Sequence, residues 1–250
     1  MDLGLAGRRA AVAASSSGLG LGAARALLAE GARVAICGRD GDRLAAAVDS
    51  LGGGDDVVAL TADVSTPEGA AGFVDSATER LGGLDVLVAN GGGPRPGTFA
   101  STPVEDYPAA LSANLLAVVA MCRRAVPAMQ AQGWGRVVAI TSVGVRQPIP
   151  ELILSNTARA GVTGFLKTLA LEVARDGVTV NSVLPGSHAT NRITSLYGDD
   201  LSAVASTVPA GIVGDPTDFG AIVAFLCSRQ AAFVTGTAIA VDGGAVRALL

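Results

Sequence analysis

A serine and an arginine stand one helical turn apart in the stretch Ser155-Asn156-Thr157-Ala158-Arg159. The i, i+4 spacing places both side chains on one face of a predicted helix. The hydroxyl of Ser155 is a weak acid that can hold a water molecule, whereas the guanidinium of Arg159 keeps its positive charge. The pair therefore offers a bound water and a fixed cation, but no effective proton donor of its own.

The chain has one histidine, His188, in an irregular stretch that follows the sixth predicted strand. Imidazole titrates near neutrality, so His188 could donate a proton directly or through water. A partly exposed loop histidine without a chemical role is the alternative. Tyr197, in the same stretch, is the other candidate donor, whereas Tyr107 is expected to pack near the start of a long helix.

A turn rich in serine and glycine separates the first predicted strand from the first predicted helix. Its residues are Ser15, Ser16, Ser17, Gly18, Leu19 and Gly20. A dinucleotide pyrophosphate needs bare backbone amides and a helix N-terminus, and the two glycines allow its close approach. The alternative is a turn that only packs the helix on the strand.

Short aliphatic or β-branched runs alternate with alanine- and leucine-rich helical patterns along the chain, which is typical of βαβ units around a parallel sheet. The predicted strands are residues 9–14, 33–37, 57–61, 84–89, 135–140, 179–184 and 238–241. The predicted helices are residues 19–30, 43–50, 67–81, 103–132, 153–176 and 216–228. The expected fold class is therefore α/β, a single-domain Rossmann fold whose seven-stranded parallel sheet carries helices on both faces.

Nothing in the sequence divides its 250 residues, because no linker rich in proline, glycine or serine occurs, and one domain over residues 1–250 is expected. Four glycines just past predicted helix ends are expected to be left-handed caps, namely Gly31, Gly82, Gly133 and Gly177. The irregular stretch 186–209 follows a late strand and is a candidate substrate lid. A variable surface loop is the alternative.

Charge and composition exclude several classes of function. A net charge of −4 gives no basic face for nucleic acid. Cys37, Cys122 and Cys227 are scattered, without the spacing of a metal site or a disulfide framework, so no metal is expected and a reducing cytoplasm fits. No signal-peptide pattern opens the chain, and the apolar stretch 111–129 is interrupted by polar residues, as in a buried helix rather than a membrane span.

Several of these motifs resemble those of the short-chain dehydrogenase/reductase family, close to its 3-oxoacyl-carrier-protein reductases. The family's phosphate turn is Thr-Gly-x-x-x-Gly-x-Gly, and the chain from Ala13 to Gly20 is similar to it except that Ala14 replaces the first glycine. Alanine tolerates a positive φ poorly, so the turn is expected to be reshaped or to bind cofactor less tightly. The resemblance covers residues 6–245.

The resemblance implies a nicotinamide cofactor. Members that use NAD carry an acid after the second strand, but this chain has Gly38 followed by Arg39, whose guanidinium can pair with the 2′-phosphate of NADP. We therefore expect NADP(H) to be favoured over NAD(H), and Asp40 to cap the next helix. Besides the turn and Arg159, the resemblance assigns to the cofactor Asp63, Val64, Asn90, Gly91, Pro185, Gly186 and Thr190.

The resemblance also implies a catalytic set of Asn, Ser, Tyr and Lys, in which the Tyr phenol moves the proton. Asn114 and Ser142 stand at the first two positions, whose alternatives are a helix-interior Asn and a turn-forming Ser. Ser155 and Arg159 stand where the family has Tyr and Lys, and a lost general acid typically costs about 10²- to 10⁴-fold. The proton is then expected from His188, Tyr197 or a water at Ser155.

Three hypotheses follow. The first is an atypical NADP-dependent reductase of a carbonyl in a small or acyl-type substrate. The second is non-redox chemistry in the same pocket, such as dehydration, isomerisation or cyclisation. The third is a catalytically silent binding or assembly subunit. The predicted pocket walls are apolar, so the substrate is expected to be mostly apolar. The resemblance implies a homotetramer or homodimer. From the cysteines, the charge and the apolar pattern, we expect the cytoplasm as compartment and neither nucleic acid nor a membrane as partner.

Overall fold

The computed structural model describes residues 1–198 and 200–249, without the side chains of Arg192, Leu196 and Tyr197. Seven strands form one parallel sheet in the order β3-β2-β1-β4-β5-β6-β7. They are β1 (Arg9–Val12), β2 (Arg33–Gly38), β3 (Val57–Thr61), β4 (Val86–Ala89), β5 (Gly135–Ile140), β6 (Val178–Pro185) and β7 (Ala238–Val241). The predicted sheet is confirmed: β1, β2, β4, β5 and β6 are buried, whereas the edge strands β3 and β7 are partly exposed.

Helices cover both faces of the sheet, which confirms the predicted α/β class. They are α1 (Gly18–Ala29), α2 (Gly41–Ser50), α3 (Pro67–Leu81), α4 (Tyr107–Leu111), α5 (Ala117–Ala131), α6 (Ile153–Val173), α7 (Asn191–Tyr197), α8 (Ser202–Thr207) and α9 (Pro216–Cys227). One core contains Phe73 of α3, Met121 of α5 and Val162 of α6. The other contains Leu27 of α1 and Phe219 of α9.

The strand order reverses beside β1, which pairs with β2 on one side and β4 on the other. In open α/β sheets ligands bind at such a reversal, outside the carboxyl ends of the strands. All four predicted cap glycines have positive φ: 81° at Gly31, 74° at Gly82, 69° at Gly133 and 74° at Gly177. The left-handed caps are therefore confirmed, and each turns the chain back towards the sheet.

The helix predicted over residues 103–132 is interrupted. Between α4 and α5 the residues Ser112–Leu116 form one π-helical turn, in which an extra residue is inserted into the helical ladder. Such turns occur often at functional sites because they redirect a side chain and its carbonyl. Asn114 lies at the centre of this turn, so the predicted long helix is present over Val104–Ala131 but is not α-helical throughout.

By length and composition alone, one helical stretch, Val104–Ala131, could cross a membrane. The core helix of a globular protein meets the same criterion. Met121, Ala125 and Met129 of this stretch are buried against the sheet and its neighbouring helices. The stretch is thus a part of the domain core in this structure.

The predicted lid, residues 186–209, contains the short helices α7 and α8. The side chains of Val204 and Val208 in this stretch are buried. Ala210 continues from it and donates its amide to the Gly243 carbonyl at 3.0 Å, beyond the end of β7. The stretch is therefore tied at its far end to the last strand of the sheet.

Helices α1 and α9 cross at two glycines. A Cβ added at Gly22 would lie 2.0 Å from the Pro216 carbonyl oxygen, and one at Gly220 would lie 2.1 Å from the Gly22 oxygen. Since overpacking costs about 1–3 kcal/mol or more, Gly22→Ala should lower the free energy of unfolding by at least about 3 kcal/mol in urea titrations. The matched change Gly72→Ala, on the exposed face of α3 with no atom within 4 Å, should be neutral or stabilising. Equal losses in both variants would contradict the close crossing.

Candidate functional site

The turn between β1 and α1 presents backbone amides at the start of a helix. Gly18 opens α1 with φ of 58°, a conformation that suits glycine. Ser16 packs against Gly38 at the end of β2, where an added Cβ would lie 2.8 Å from the Ser16 hydroxyl. The bare N-terminus of α1 and the small residue at the end of β2 together form a cradle for a phosphate-bearing ligand.

Ala14 stands where the family has a glycine, and it has a φ of 46°, in the left-handed region that strains residues other than glycine. Its carbonyl accepts a hydrogen bond of 3.1 Å from the Asn90 side chain. A Cβ added at Gly20 would lie 2.5 Å from the same carbonyl oxygen, so this backbone approach is possible only with glycine. Ala14 therefore bears backbone strain in the phosphate turn.

Replacing Ala14 by glycine should relieve this strain. A non-glycine residue in the left-handed region costs about 1–3 kcal/mol, and the entropy of an added glycine offsets part of the gain. We expect Ala14→Gly to raise the free energy of unfolding by about 1 kcal/mol in urea titrations. The control Ala13→Gly, at a buried position without positive φ, should lower it. A loss of stability in Ala14→Gly would show that the strain is absent.

Ser15 has a structural role rather than the predicted one in the cofactor site. It is fully buried, and its hydroxyl donates to the Val12 carbonyl at 2.6 Å and accepts from the Cys37 amide at 3.0 Å. Its own amide donates to the Cys37 carbonyl. Because these groups join β1 to β2, the prediction that Ser15 contacts the cofactor is corrected.

A cleft of about 860 Å³ runs along the carboxyl ends of the strands. The predicted residues that line it are Ser16, Ser17, Gly18, Leu19, Arg39, Asp63, Val64, Asn90, Gly91, Asn114 and Thr190. Other predicted residues, all within the described part of the chain, are not among its lining: Ser15, Gly20, Ser142, Ser155, Arg159, Pro185, Gly186 and His188. The structure thus gathers the phosphate turn, the strand ends and Asn114 around one cavity.

The β2 end of the cleft carries charges of both signs, because Asp40 and Asp63 line it beside two arginines. Arg39 and Arg43 both line it, and Arg43 was missed although it follows Arg39 by four residues. Asp40 caps α2, as predicted, by accepting the Arg43 amide at 3.0 Å. Hydrogen bonding by Ser65 and the nearby charge of Arg39 lower the pKa of Asp63. Two guanidinium groups at the end of β2 suit a phosphate monoester.

Asn114 is almost completely buried in the π-helical turn and lines the cleft. Its amide nitrogen donates to the Ala110 carbonyl at 3.3 Å. Its Oδ1 has no hydrogen-bond partner among the described residues. Since an unpaired buried acceptor is costly, Oδ1 is suited to a water molecule or a ligand donor from the cleft.

Ser155 and Arg159 share the buried face of α6, with 9% and 7% of their surfaces exposed, and the predicted common face is confirmed. Arg159 donates from Nη1 to the Ile140 carbonyl at 2.7 Å, at the end of β5. Ser142 follows two residues later, and its hydroxyl accepts the Gly144 amide at 3.0 Å. The buried cation of α6 is therefore fixed beside the strand end that carries Ser142.

The segment before α6 is held in place by Asn156. Its Nδ2 donates to the Ile149 carbonyl at 2.9 Å, and its Oδ1 accepts the Ile149 amide at 3.3 Å.

An ion pair joins Arg95 and Asp106, which both line the cavity. No motif in the sequence indicated this pair, because it depends on how the loop after β4 folds.

His188 lies in the core instead of the cleft. It is 4% exposed, its Nδ1 lies 3.2 Å from the Gly186 carbonyl oxygen, and its ring meets the edge of Phe219 at 5.0 Å between centroids. Burial lowers the pKa of His188, against the opposing effects of the Gly186 carbonyl and the carboxylates of Asp215 and Asp242. Its predicted role as proton donor is therefore corrected. The Tyr197 side chain, the other candidate, lies outside the described residues.

Comparison with known families and proteins agrees with this geometry. The family described as Enoyl-(Acyl carrier protein) reductase matches residues 13–246. The 3-oxoacyl-[acyl-carrier-protein] reductase of Vibrio cholerae is 33% identical over 242 residues, which cover 97% of this chain and 98% of that protein.

Two solved structures extend the comparison. L-sorbose reductase from Gluconobacter frateurii, complexed with NADPH and L-sorbose, superposes with a TM-score of 0.91 at 33% identity, covering 100% of both chains. An NADPH-bound short chain oxidoreductase from Pseudomonas aeruginosa PAO1, described as containing an atypical catalytic center, gives a TM-score of 0.88 at 31% identity. That match covers 97% of this chain and 99% of the other.

Proposed function

The chain belongs to the short-chain dehydrogenase/reductase family, and from this premise we propose that it is an atypical NADP(H)-dependent reductase of a carbonyl compound. The observation that carries the proposal is the cleft, in which the phosphate turn and the Arg39–Arg43 cation pair occupy one end and Asn114 another part of the wall. A site with these parts fits a phosphorylated dinucleotide and a second, smaller ligand.

The residues present fit NADP(H). The amides at the start of α1 would hold the pyrophosphate, Arg39 and Arg43 the 2′-phosphate, and Asp63 and Val64 the adenine side. Gly38 stands at the end of β2, where members that use NAD carry an acid that would repel the phosphate. When bound, NADPH supplies the hydride that reduces a carbonyl carbon.

The chain's own residues orient the substrate. The Ser142 hydroxyl, which already accepts the Gly144 amide, donates its hydrogen to the substrate oxygen. Asn114 holds a water through its buried Oδ1. Arg159 supplies fixed positive charge and would hold the nicotinamide ribose, and Ser155 would hold a water where the family has a phenol. This water delivers the proton, which makes proton transfer the slow part of the reaction.

The NADPH complexes of two relatives support this choice of cofactor. One of them is described as having an atypical catalytic center, so a departure from the usual catalytic set accompanies NADPH binding in that protein. The same combination is what we propose for Ser155 and Arg159. The missing phenol also favours a second candidate function, non-redox chemistry such as dehydration, isomerisation or cyclisation in the same pocket, or binding without catalysis.

We also propose a small-molecule, mostly apolar substrate, because Ala109, Ala113 and Leu154 line the cleft together with Asn114. Nucleic acid and membrane are not proposed as partners, and the cytoplasm remains the proposed compartment. A homotetramer or homodimer is supported by apolar side chains on helix surfaces, since Leu171 of α6 and Phe225 of α9 are 73% and 42% exposed.

The proposal is tested by following NADPH oxidation at 340 nm with a panel of ketones and 3-oxoacyl thioesters. We expect slow but saturable oxidation with at least one apolar member. If NADPH binds but no member is reduced, the non-redox candidate is favoured. If neither nicotinamide cofactor binds, the reductase proposal is wrong.

A further inference from the structure

The start of the lid is joined to the segment that follows it. The Ala189 amide donates to the Gly214 carbonyl at 2.9 Å, and the Gly214 amide donates to the Ser187 carbonyl at 2.9 Å. His188 and Gly214 thereby form a short parallel β-bridge. We call residues 187–189 and Gly214 the lid neck, since α7 and α8 lie between them.

The His188 ring fills the lid neck. A Cβ added at Gly214 would lie 2.7 Å from Cδ2 and 2.8 Å from Nε2 of the ring, so any side chain at this position would collide with it. The other side of the ring meets Phe219 on α9. Glycine is therefore required at position 214 for room, and the ring sets the distance between the lid and the domain core.

The lid neck leads directly to the cofactor cleft. Thr190 follows His188 by two residues and lines the cleft. Its methyl group lies 3.4 Å from where a Cβ would stand on Gly18 in the phosphate turn. A displacement of the neck would thus shift Thr190 relative to the turn that receives the pyrophosphate.

The charged groups that act on the ring are Asp215 and Asp242, and both carboxylates also serve as local caps. Asp215 accepts the Thr217 amide at 2.6 Å, and Asp242 accepts the amides of Gly244 and Val246 at 2.9 and 2.8 Å. Burial opposes their effect and lowers the pKa of His188 below its ordinary value of 6.5. The ring in the neck is consequently neutral at neutral pH.

We propose that His188 is a positioning residue, whose imidazole is wedged between Gly214 and Phe219 and holds the lid neck closed so that Thr190 stays in place at the NADP(H) cleft. This inference rests on the proposed function for its ligand. It assigns a role to the one histidine that the proposed chemistry leaves unused.

The first test compares NADPH affinity in wild-type protein, His188→Ala and His188→Asn by calorimetry, well below the melting temperatures. Alanine removes both the wedge and the hydrogen bond to Gly186, so we expect the Kd to rise about tenfold, equivalent to about 1.4 kcal/mol. Asparagine keeps a donor near the Nδ1 position and should recover part of the affinity. An unchanged Kd in His188→Ala, with only the melting temperature lowered, would overturn the proposal.

A coupling test is sharper. Gly214→Ala alone should raise the Kd, because its methyl group displaces the ring. In the His188→Ala background the same methyl group enters the space that the ring has left, so the double variant should bind NADPH no worse than His188→Ala. Additive losses in the double variant would contradict contact between the ring and Gly214.

A low pH is expected to favour an open lid neck. The pKa of His188 in the closed neck is lower than its ordinary value of 6.5, so the neutral ring favours the closed neck. This stabilisation is fully present above pH 6.5, and it is lost as the pH falls through the lower pKa of the closed state. Wild-type affinity should therefore fall more steeply below pH 6.5 than that of His188→Asn. The 2′-phosphate titrates near pH 6 but does so in both proteins, so only the difference reports the ring. Parallel profiles would argue against this role.

Limited trypsin digestion without cofactor separates this inference from the proposed function. Between Arg175 and Arg229 the sequence has no lysine and no arginine other than Arg192, so tryptic cleavage there reports the lid. His188→Ala should be cut at Arg192 about tenfold faster than wild type, by the same loss of neck contacts. If wild-type protein binds no NADPH, the proposed function fails and this rate alone decides the role of His188. Equal rates would overturn it.

Discussion

Ser155→Tyr combined with Arg159→Lys is expected to raise kcat/KM for NADPH-dependent carbonyl reduction by about 100-fold. A phenol has an ordinary pKa of about 10, and an adjacent ammonium lowers it towards neutrality, whereas a serine hydroxyl is far too weak an acid to share the proton. The two positions already share the buried face of α6. The change therefore adds a proton donor to a cleft that otherwise keeps its parts.

Single variants show where the gain arises. Ser155→Tyr should give part of the increase, because Arg159 supplies charge but not the shape of an ammonium. Arg159→Lys alone should give none, since it leaves no phenol to activate. The NADPH Kd and the unfolding midpoint are measured for each protein. A double variant that is folded and binds NADPH, yet shows no gain on the carbonyl panel, would favour non-redox chemistry.

Removing both cations at the end of β2 should abolish the preference for NADP(H). We expect Arg39→Ala with Arg43→Ala to raise the Kd for NADPH about 100-fold, because two charge-assisted contacts to the 2′-phosphate are lost. The Kd for NADH, which lacks this phosphate, should change little. Titration calorimetry with both cofactors measures the two effects in one set of proteins.

A control variant separates the loss of NADPH affinity caused by removing Arg39 and Arg43 from an effect of the changed net charge. Arg80→Ala, on the exposed last turn of α3, removes one positive charge away from the cleft and should leave both affinities unchanged. Raising the salt concentration should weaken NADPH binding in wild type more than in the double variant. Equal losses for NADPH and NADH would mean that the two arginines contact something other than the 2′-phosphate.

The sheet could be predicted from the sequence because parallel strands buried on both faces require uninterrupted aliphatic runs. Such a run, residues 137–140, lies in the buried strand β5. The cap glycines were also predictable, because left-handed φ is a local property of Gly82 or Gly177. The π-helical turn at Ser112–Leu116 was not, since the inserted residue leaves no trace in the hydrophobic pattern.

The sequence does not show in which direction a side chain points, and this limits the prediction of the site. The turn at Gly18 was located correctly, but hydrogen bonds between strands give Ser15 a structural role that its neighbours Ser16 and Ser17 do not share. His188 was placed beside the cofactor by its position in the chain. Its ring points to Phe219 instead, because the lid neck leaves space for it over Gly214.

The most direct test of the account is a parallel titration of wild-type protein with NADPH and NADH at the same pH and ionic strength. The proposed contacts of Arg39 and Arg43 predict that NADPH binds at least about tenfold more tightly, since one charge-assisted contact to the 2′-phosphate is worth that much. Equal affinity for the two cofactors, tighter binding of NADH or no binding of either would contradict the account.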